Sequence, residues 1–118
     1  MKARLNYVEL PVTEAGRSAA FFQAAFGWSL SAFGPSYSAT VGGGAGDGST
    51  DLGLQGDASE ATTAPLAVIE VDDLDAALAA VEAAGGCITR APFDYPGGRR
   101  FHFREPGGCE LAVNVVGE

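Results

Sequence analysis

The chain has 118 residues, enough for one compact domain whose core needs no disulfide or metal to hold it. Hydrophobic residues make up 47% and charged residues 19%, a globular composition, and the net charge is −8. So acidic a chain repels phosphate backbones and anionic membranes, and no apolar run is long enough for a membrane span. The expected partners therefore exclude nucleic acid and membrane. Met1-Lys2-Ala3-Arg4 has no apolar stretch behind it to make a signal peptide, which points to the cytoplasm.

In chain order, YVELPV (7–12) reads as a strand, and Thr13 as the cap of a helix whose buried face is Ala15, Ala19, Phe22 and Phe26. Gly27 stops that helix. Strands follow at roughly 28–33, 36–42 and 50–55, broken by Gly34-Pro35 and by Gly42–Gly48. The glycine-rich stretch lacks a following Lys-Ser/Thr and leads into a strand rather than a helix, so it reads as a flexible hairpin and not as a phosphate loop. Trp28 and Phe33 read as ordinary packing. Residues 56–64, small and polar, read as a linker.

The second half repeats the plan. Shifted by half its length, 59 residues, the chain matches itself at Val12/Val71, Ala24/Ala83, Ala25/Ala84 and Gly27/Gly86. Val68, Ile69 and Val71 form a strand, Asp72 or Asp73 caps a helix, and Leu74, Ala77, Leu78, Val81 and Ala84 mark its buried face before Gly85-Gly86. Strands follow at roughly 87–92, 99–104 and 109–116, with 93–98 (FDYPGG) read as a loop carrying a proline-glycine hinge. The organisation is one α+β domain, 1–118, of two βαβββ modules (1–57 and 64–118) joined by the 56–64 linker. Cys87 and Cys109 read as half-buried free thiols, because two cysteines and one histidine are too few for a zinc site.

YVELPV with its helix ending in FGW, VIEVDDLDAALAAVEAAGG, and FHFREPGGCELAV together resemble the vicinal oxygen chelate superfamily of glyoxalase I, bleomycin-resistance proteins and extradiol dioxygenases. The resemblance covers nearly the whole chain. It implies two four-stranded antiparallel sheets curving around a shared cavity. It places the family's metal ligands at Tyr7, Gly53, Leu66 and Ala112. Glycine, leucine and alanine have no side-chain donor and a neutral tyrosine is a poor ligand, so the expectation is no metal and no cofactor.

Period-two alternation then proposes the cavity face. With Tyr7 inward, Glu9 follows; Leu66, Val68 and Glu70 share the face, as do Glu110, Ala112 and Asn114, while Phe101 and Phe103 go to the core and leave Arg100, His102 and Arg104 opposite. Tyr37, Phe93 and Tyr95 are candidate walls or lids. The ligand-binding set is thus Tyr7, Glu9, Tyr37, Leu66, Val68, Glu70, Phe93, Tyr95, His102, Glu110, Ala112 and Asn114, with His102 the candidate acid or base. Glu9, Glu70 and Glu110 with His102 are also a candidate displaced site for manganese, iron or zinc.

Three functions compete. The first, implied by the bleomycin-resistance branch, is a metal-free homodimer that holds or sequesters a small molecule, and the acidity fits a cationic ligand. The second is a lyase, isomerase or dioxygenase-like enzyme that uses His102 or a non-standard metal site. The third is an interaction module with a vestigial pocket. Open sheet edges and apolar faces favour a homodimer in all three.

Overall fold

Among the described residues a strand, a helix and three further strands occur twice, giving an α+β fold of eight strands and two helices. The elements of this computed structural model are β1 (Ala3–Pro11), α1 (Ala15–Phe26), β2 (Ser31–Ala32), β3 (Tyr37–Ala39), β4 (Asp51–Gln55), β5 (Leu66–Val71), α2 (Leu74–Ala83), β6 (Cys87–Tyr95), β7 (Gly98–Arg104) and β8 (Glu110–Val116). The structure describes residues 1–46 and 48–116; Asp47 of the glycine-rich stretch and Gly117 and Glu118 at the end of the second module lie outside them. The chain divides into two compact units, Asn6–Leu66, and Ala67–Glu118 together with Met1–Leu5.

In the first unit the strand order is β2-β3-β4-β1. The β2–β3 and β3–β4 pairs are antiparallel, but β4 runs parallel to β1, with Gly53 opposite Glu9. The second unit repeats this, with β5 and β8 parallel and the β8–β7 and β7–β6 pairs antiparallel. The expectation of wholly antiparallel sheets is corrected by these two pairs. A helix carries the chain back after the first strand, and three alternating strands then bring the last one parallel to it.

Val8, Leu10, Ala15, Ala19, Phe22, Leu52 and Leu54 gather on one side of the first sheet with Trp28, the side expected from alternation. Two aromatics depart from expectation. Phe26 is 61% exposed, because the last turn of α1 stacks on Phe22 and Trp28 instead of on a strand. Phe33 is 54% exposed, since it follows the two-residue β2 into the Gly34-Pro35 turn. Glu14, not Thr13, is the N-cap of α1, and its side chain makes no capping bond. Gly27 ends the helix in the left-handed conformation, φ 75°, as expected. The glycine-rich connection is tied down: the Asp51 carboxylate accepts from Thr40 Oγ1 (2.6 Å) and from the amides of Gly43 and Gly44.

The second unit has a better-capped helix. Asp73 accepts from the Ala76 amide at 3.0 Å, while the amides of Gly85 and Gly86 close the other end on Glu82 and Val81. Asp72 instead accepts from the Lys2 amide at 2.9 Å. Leu74, Ala77, Leu78 and Val81 cover Phe101, Phe103, Leu111 and Val113, which confirms the predicted core side. Residues 93–98 are not a loop: β6 runs through Tyr95 and turns tightly into β7, with Phe93 opposite Arg100 and Tyr95 opposite Gly98. Phe93 and Tyr95 are therefore strand residues and not part of a lid. The Glu105 carboxylate accepts from the Gly107 and Cys109 amides at 2.8 and 2.7 Å, which holds the turn of FREPGGCE and keeps its carboxyl below the usual range. Cys87 and Cys109 are free thiols but exposed, not half-buried, because both fall at strand ends.

Candidate functional site

Two polar clusters form, one on each unit. On the first, Tyr7 and Glu9 project from β1 and Tyr37 from β3. The Tyr7 and Tyr37 hydroxyls are hydrogen-bonded to each other, and Tyr37 donates to Glu9 Oε1 at 3.0 Å. Glu9 is only 3% exposed. Gly53 on β4, the residue opposite Glu9, makes room for this chain: a Cβ there would overlap both tyrosine hydroxyls. Burial first, then the Glu9 charge and the neighbouring Tyr7, push the Tyr37 phenol far above the ordinary tyrosine range. It stays a proton donor at every working pH.

On the second unit, His102 on β7 is 3% exposed. Its Nδ1 lies 3.1 Å from Glu110 Oε2, and the same oxygen accepts from Thr89 Oγ1 at 3.2 Å. A carboxylate on Nδ1 selects the tautomer with the proton there, which leaves Nε2 an acceptor. Nε2 is buried and has no hydrogen-bond partner among the described residues. A buried polar atom left so costs about 1–3 kcal/mol, a cost that an arriving donor would remove. Burial is the main cause that holds the His102 pKa below its ordinary value; the Glu110 hydrogen bond opposes this, and the charges of Arg100 and Arg90 add to it. At neutral pH the imidazole is uncharged.

The surroundings of His102 follow from register. Ala112 stands opposite it, Asn114 opposite Arg100, and Val68 beside Ala112. On the β6 side the register shifts twice between Ile88 and Phe93, so Arg90 pairs with His102 and Phe93 with Arg100. Such a bulge re-aims side chains, and it brings Arg90 and Phe93 to one face although their numbers differ in parity. The Phe93 ring lies 5.9 Å from the imidazole. The Arg90 guanidinium sits 3.7 Å over that ring, and Arg100 lies 5.5 Å from it and 5.2 Å from the ring of Tyr95. Tyr95 in turn bonds Asn114 Nδ2 at 2.8 Å.

Of the residues expected from sequence, the structure joins Tyr7, Glu9 and Tyr37 in one cluster, and Val68, Phe93, Tyr95, His102, Glu110, Ala112 and Asn114 around another. Leu66 is buried at the start of β5. The acidic set does not assemble: Glu9 bonds Tyr37, Glu70 pairs with Arg4 at 3.4 Å, and Glu110 holds His102. Glu70 lies opposite Asn114, four residues along β8 from Glu110 and hence roughly 13 Å away, too far to share an ion. Among the described residues, no group of three or more His, Cys, Asp and Glu side chains could hold a metal. The positions that the family resemblance assigns to metal do not fit one either. Gly53, Leu66 and Ala112 offer no donor, and the Tyr7 hydroxyl is bonded to Tyr37.

Sequence reasoning missed Gly53 as a spacer, Thr89 and Arg90. A lone glycine inside DLGLQ and a proline, Pro92, inside a strand were the available signals for the close approach and the bulge. Two surface hollows lie elsewhere. One of about 350 Å³ is at the start of α1, lined by Thr13, Arg17, Ser36 and Gly56; one of about 340 Å³ lies under α2, lined by Val71, Ala77, Val81 and Phe103. Neither touches the predicted site residues.

The sequence model of the Glyoxalase/Bleomycin resistance protein/Dioxygenase superfamily matches residues 4–113, and the chain belongs to that superfamily. No curated protein matches it. Among solved structures it is similar to an NAD-dependent benzaldehyde dehydrogenase from Legionella pneumophila (TM-score 0.76, 16% identity, 94% of this chain and 98% of that one). It is also similar to the methylmalonyl-CoA epimerase from Mycobacterium tuberculosis (0.74, 14%, 97% and 88%). A third likeness is to the Mn(II)-bound glyoxalase from Novosphingobium aromaticivorans (0.69, 22%, 98% and 41%). At these identities the likeness is one of fold.

Proposed function

We propose that this chain is a small-molecule-binding member of its superfamily that works without the usual metal ion. The observation that carries this is the Tyr7–Tyr37–Glu9 hydrogen-bond chain, whose hydroxyls occupy the space over Gly53 where a metal-ligating side chain would stand. Metal-dependent lyase, isomerase or dioxygenase chemistry loses its donor set with it. The test is elemental analysis of dialysed protein together with thermal melts in added Mn²⁺, Fe²⁺ and Zn²⁺. The proposal expects no retained metal and unshifted melting; near-stoichiometric retained metal contradicts it.

A second reading, acid–base chemistry on the bound molecule, is favoured by one arrangement: His102 oriented by Glu110 with Nε2 left as an acceptor. An imidazole so held is competent to take a proton from a ligand placed within hydrogen-bond reach. Both the epimerase and the glyoxalase of similar fold are enzymes by name, so the architecture accommodates chemistry as well as binding. A homodimer in the cytoplasm belongs to the same proposal, supported for the dimer by the exposed Phe21, Phe26 and Phe33. A sedimentation mass of one chain at micromolar concentration would exclude the dimer.

A further inference from the structure

Buried polar atoms in a folded chain are nearly always paired, so an unpaired one calls for an explanation. On the face of the second unit that carries His102, two such atoms stand near each other. One is His102 Nε2 and the other is Asn114 Oδ1, and neither has a hydrogen-bond partner among the described residues. Both are acceptors. Glu110 keeps the imidazole proton on Nδ1, and Asn114 commits Nδ2 to Tyr95 Oη at 2.8 Å, which leaves Oδ1 turned away from that phenol. Asn114 lies two residues beyond Ala112, the residue opposite His102, and on the same face of β8. Positions in that diagonal relation are about 7–8 Å apart, within the span of one small molecule. Ala112 puts only a methyl between them. Tyr95 Oη accepts in its bond to Asn114 and keeps its own proton to donate. Phe93, whose ring lies 5.9 Å from the imidazole, is half-buried, as are Tyr95 and Asn114, which leaves a way in from solvent.

We infer that this face takes a neutral molecule with two N–H or O–H donors side by side, such as a primary amide or a urea, one donor going to His102 Nε2 and the other to Asn114 Oδ1. This rests on the proposed small-molecule binding and names its ligand class, in place of the cation that net charge alone suggested. The Tyr95 hydroxyl serves the carbonyl of such a ligand, and the Phe93 and Tyr95 rings flank it. A neutral ligand suits two buried acceptors, because a charge loses far more hydration than an amide on entering such a site. The lowered basicity of His102 is consistent, since an uncharged imidazole accepts where an imidazolium cannot.

The experiment follows the ring nitrogens of the chain's single histidine by ¹⁵N NMR while three probes are added to the full-length protein: benzamide, N,N-dimethylbenzamide and benzamidinium. The dimethyl amide keeps the ring and the carbonyl but has no donor, and benzamidinium keeps the donors but adds a charge. A saturable shift of Nε2 with benzamide is expected, with the dimethyl amide weaker by roughly tenfold or more and benzamidinium also weaker. Asn114→Ala should weaken benzamide by roughly tenfold and leave the dimethyl amide unchanged, with thermal melts reporting that the variant is folded. The two amides compared on the parent chain decide alone if that variant does not fold. The dimethyl amide binding as tightly as benzamide would overturn the paired donors, and benzamidinium binding more tightly would overturn the neutral class, while either leaves small-molecule binding intact. No response of His102 to any probe at millimolar concentration would overturn the inference, whereas metal retained after dialysis, measured separately, would overturn the reading beneath it.

Discussion

The two halves share one plan and use it differently. In the first, the polar side chains on the sheet face satisfy one another: Tyr7 meets Tyr37, Tyr37 meets Glu9, and Gly53 yields the space they need. In the second, the corresponding face is built of an oriented histidine whose outer nitrogen has no partner among the described residues, with two guanidinium groups stacked nearby. The frames differ too. β2 and β3 have two and three residues, whereas β6 and β7 have nine and seven and carry a bulge that turns Arg90 toward His102. A closed hydrogen-bond set lends rigidity, whereas a buried acceptor left open carries a cost that a donor would remove. The duplication thus separates a half whose polar groups bond one another from a half that keeps a buried acceptor without a partner among the described residues.

The two halves differ most at the equivalent strand positions 53 and 112. Gly53→Ala drives a Cβ into two hydrogen-bonded hydroxyls, so urea unfolding should show a loss of about 2–3 kcal/mol. Ala112→Gly removes one buried methyl from a strand and should cost about 1 kcal/mol. Equal effects would show that the first cluster is not packed as described.

Tyr37→Phe comes next, at about 1–2 kcal/mol, because it deprives buried Glu9 of a donor. In the parent chain, ultraviolet titration should find Tyr37 silent until the protein unfolds, since its phenol is held far above the normal range. Full ionisation of all three tyrosines in folded protein would rule this out.

The helices give a smaller contrast. Asp73→Ala should cost about 1 kcal/mol, the worth of a side-chain N-cap, whereas Glu14→Ala removes no capping bond and only an exposed i,i+3 contact with Arg17. The second change should stay within about 0.5 kcal/mol in the same unfolding assay.

Acid sensitivity gives the mildest effect. Because burial lowers the pKa of native His102, the unfolded chain takes up the proton first as pH falls below about 6.5. Stability from this residue is therefore complete above that pH and is lost progressively toward the lower native value. Between about pH 6.5 and 5, the parent should lose more stability than His102→Gln, and parallel pH profiles would contradict this.

The core sides, the glycine stop of the first helix and the capping aspartate of the second were legible in sequence because each is local: alternation fixes a face, and a single residue type fixes an end. Phe26 sits on the periodic face of α1, yet its burial depended on a strand reaching beneath the last turn, which β2 and β3 are too short to do. FDYPGG read as a loop from its proline and glycines, but Pro96-Gly97 is only the tip of a hairpin whose strand runs through Phe93. Of the candidate site, His102 was legible from Phe101 and Phe103 on either side. Arg90 was not, because the bulge that aims it breaks the alternation used to place it. Gly53 acquires its meaning only when tyrosines from two other strands converge on it.

Whether His102 is a neutral, oriented acceptor is decided by its ring ¹⁵N signals followed against pH. An unprotonated Nε2 and a protonated Nδ1 are expected at neutral pH, with a titration midpoint below the ordinary histidine value of about 6.5. A midpoint at or above that value, or a proton resident on Nε2, would contradict it.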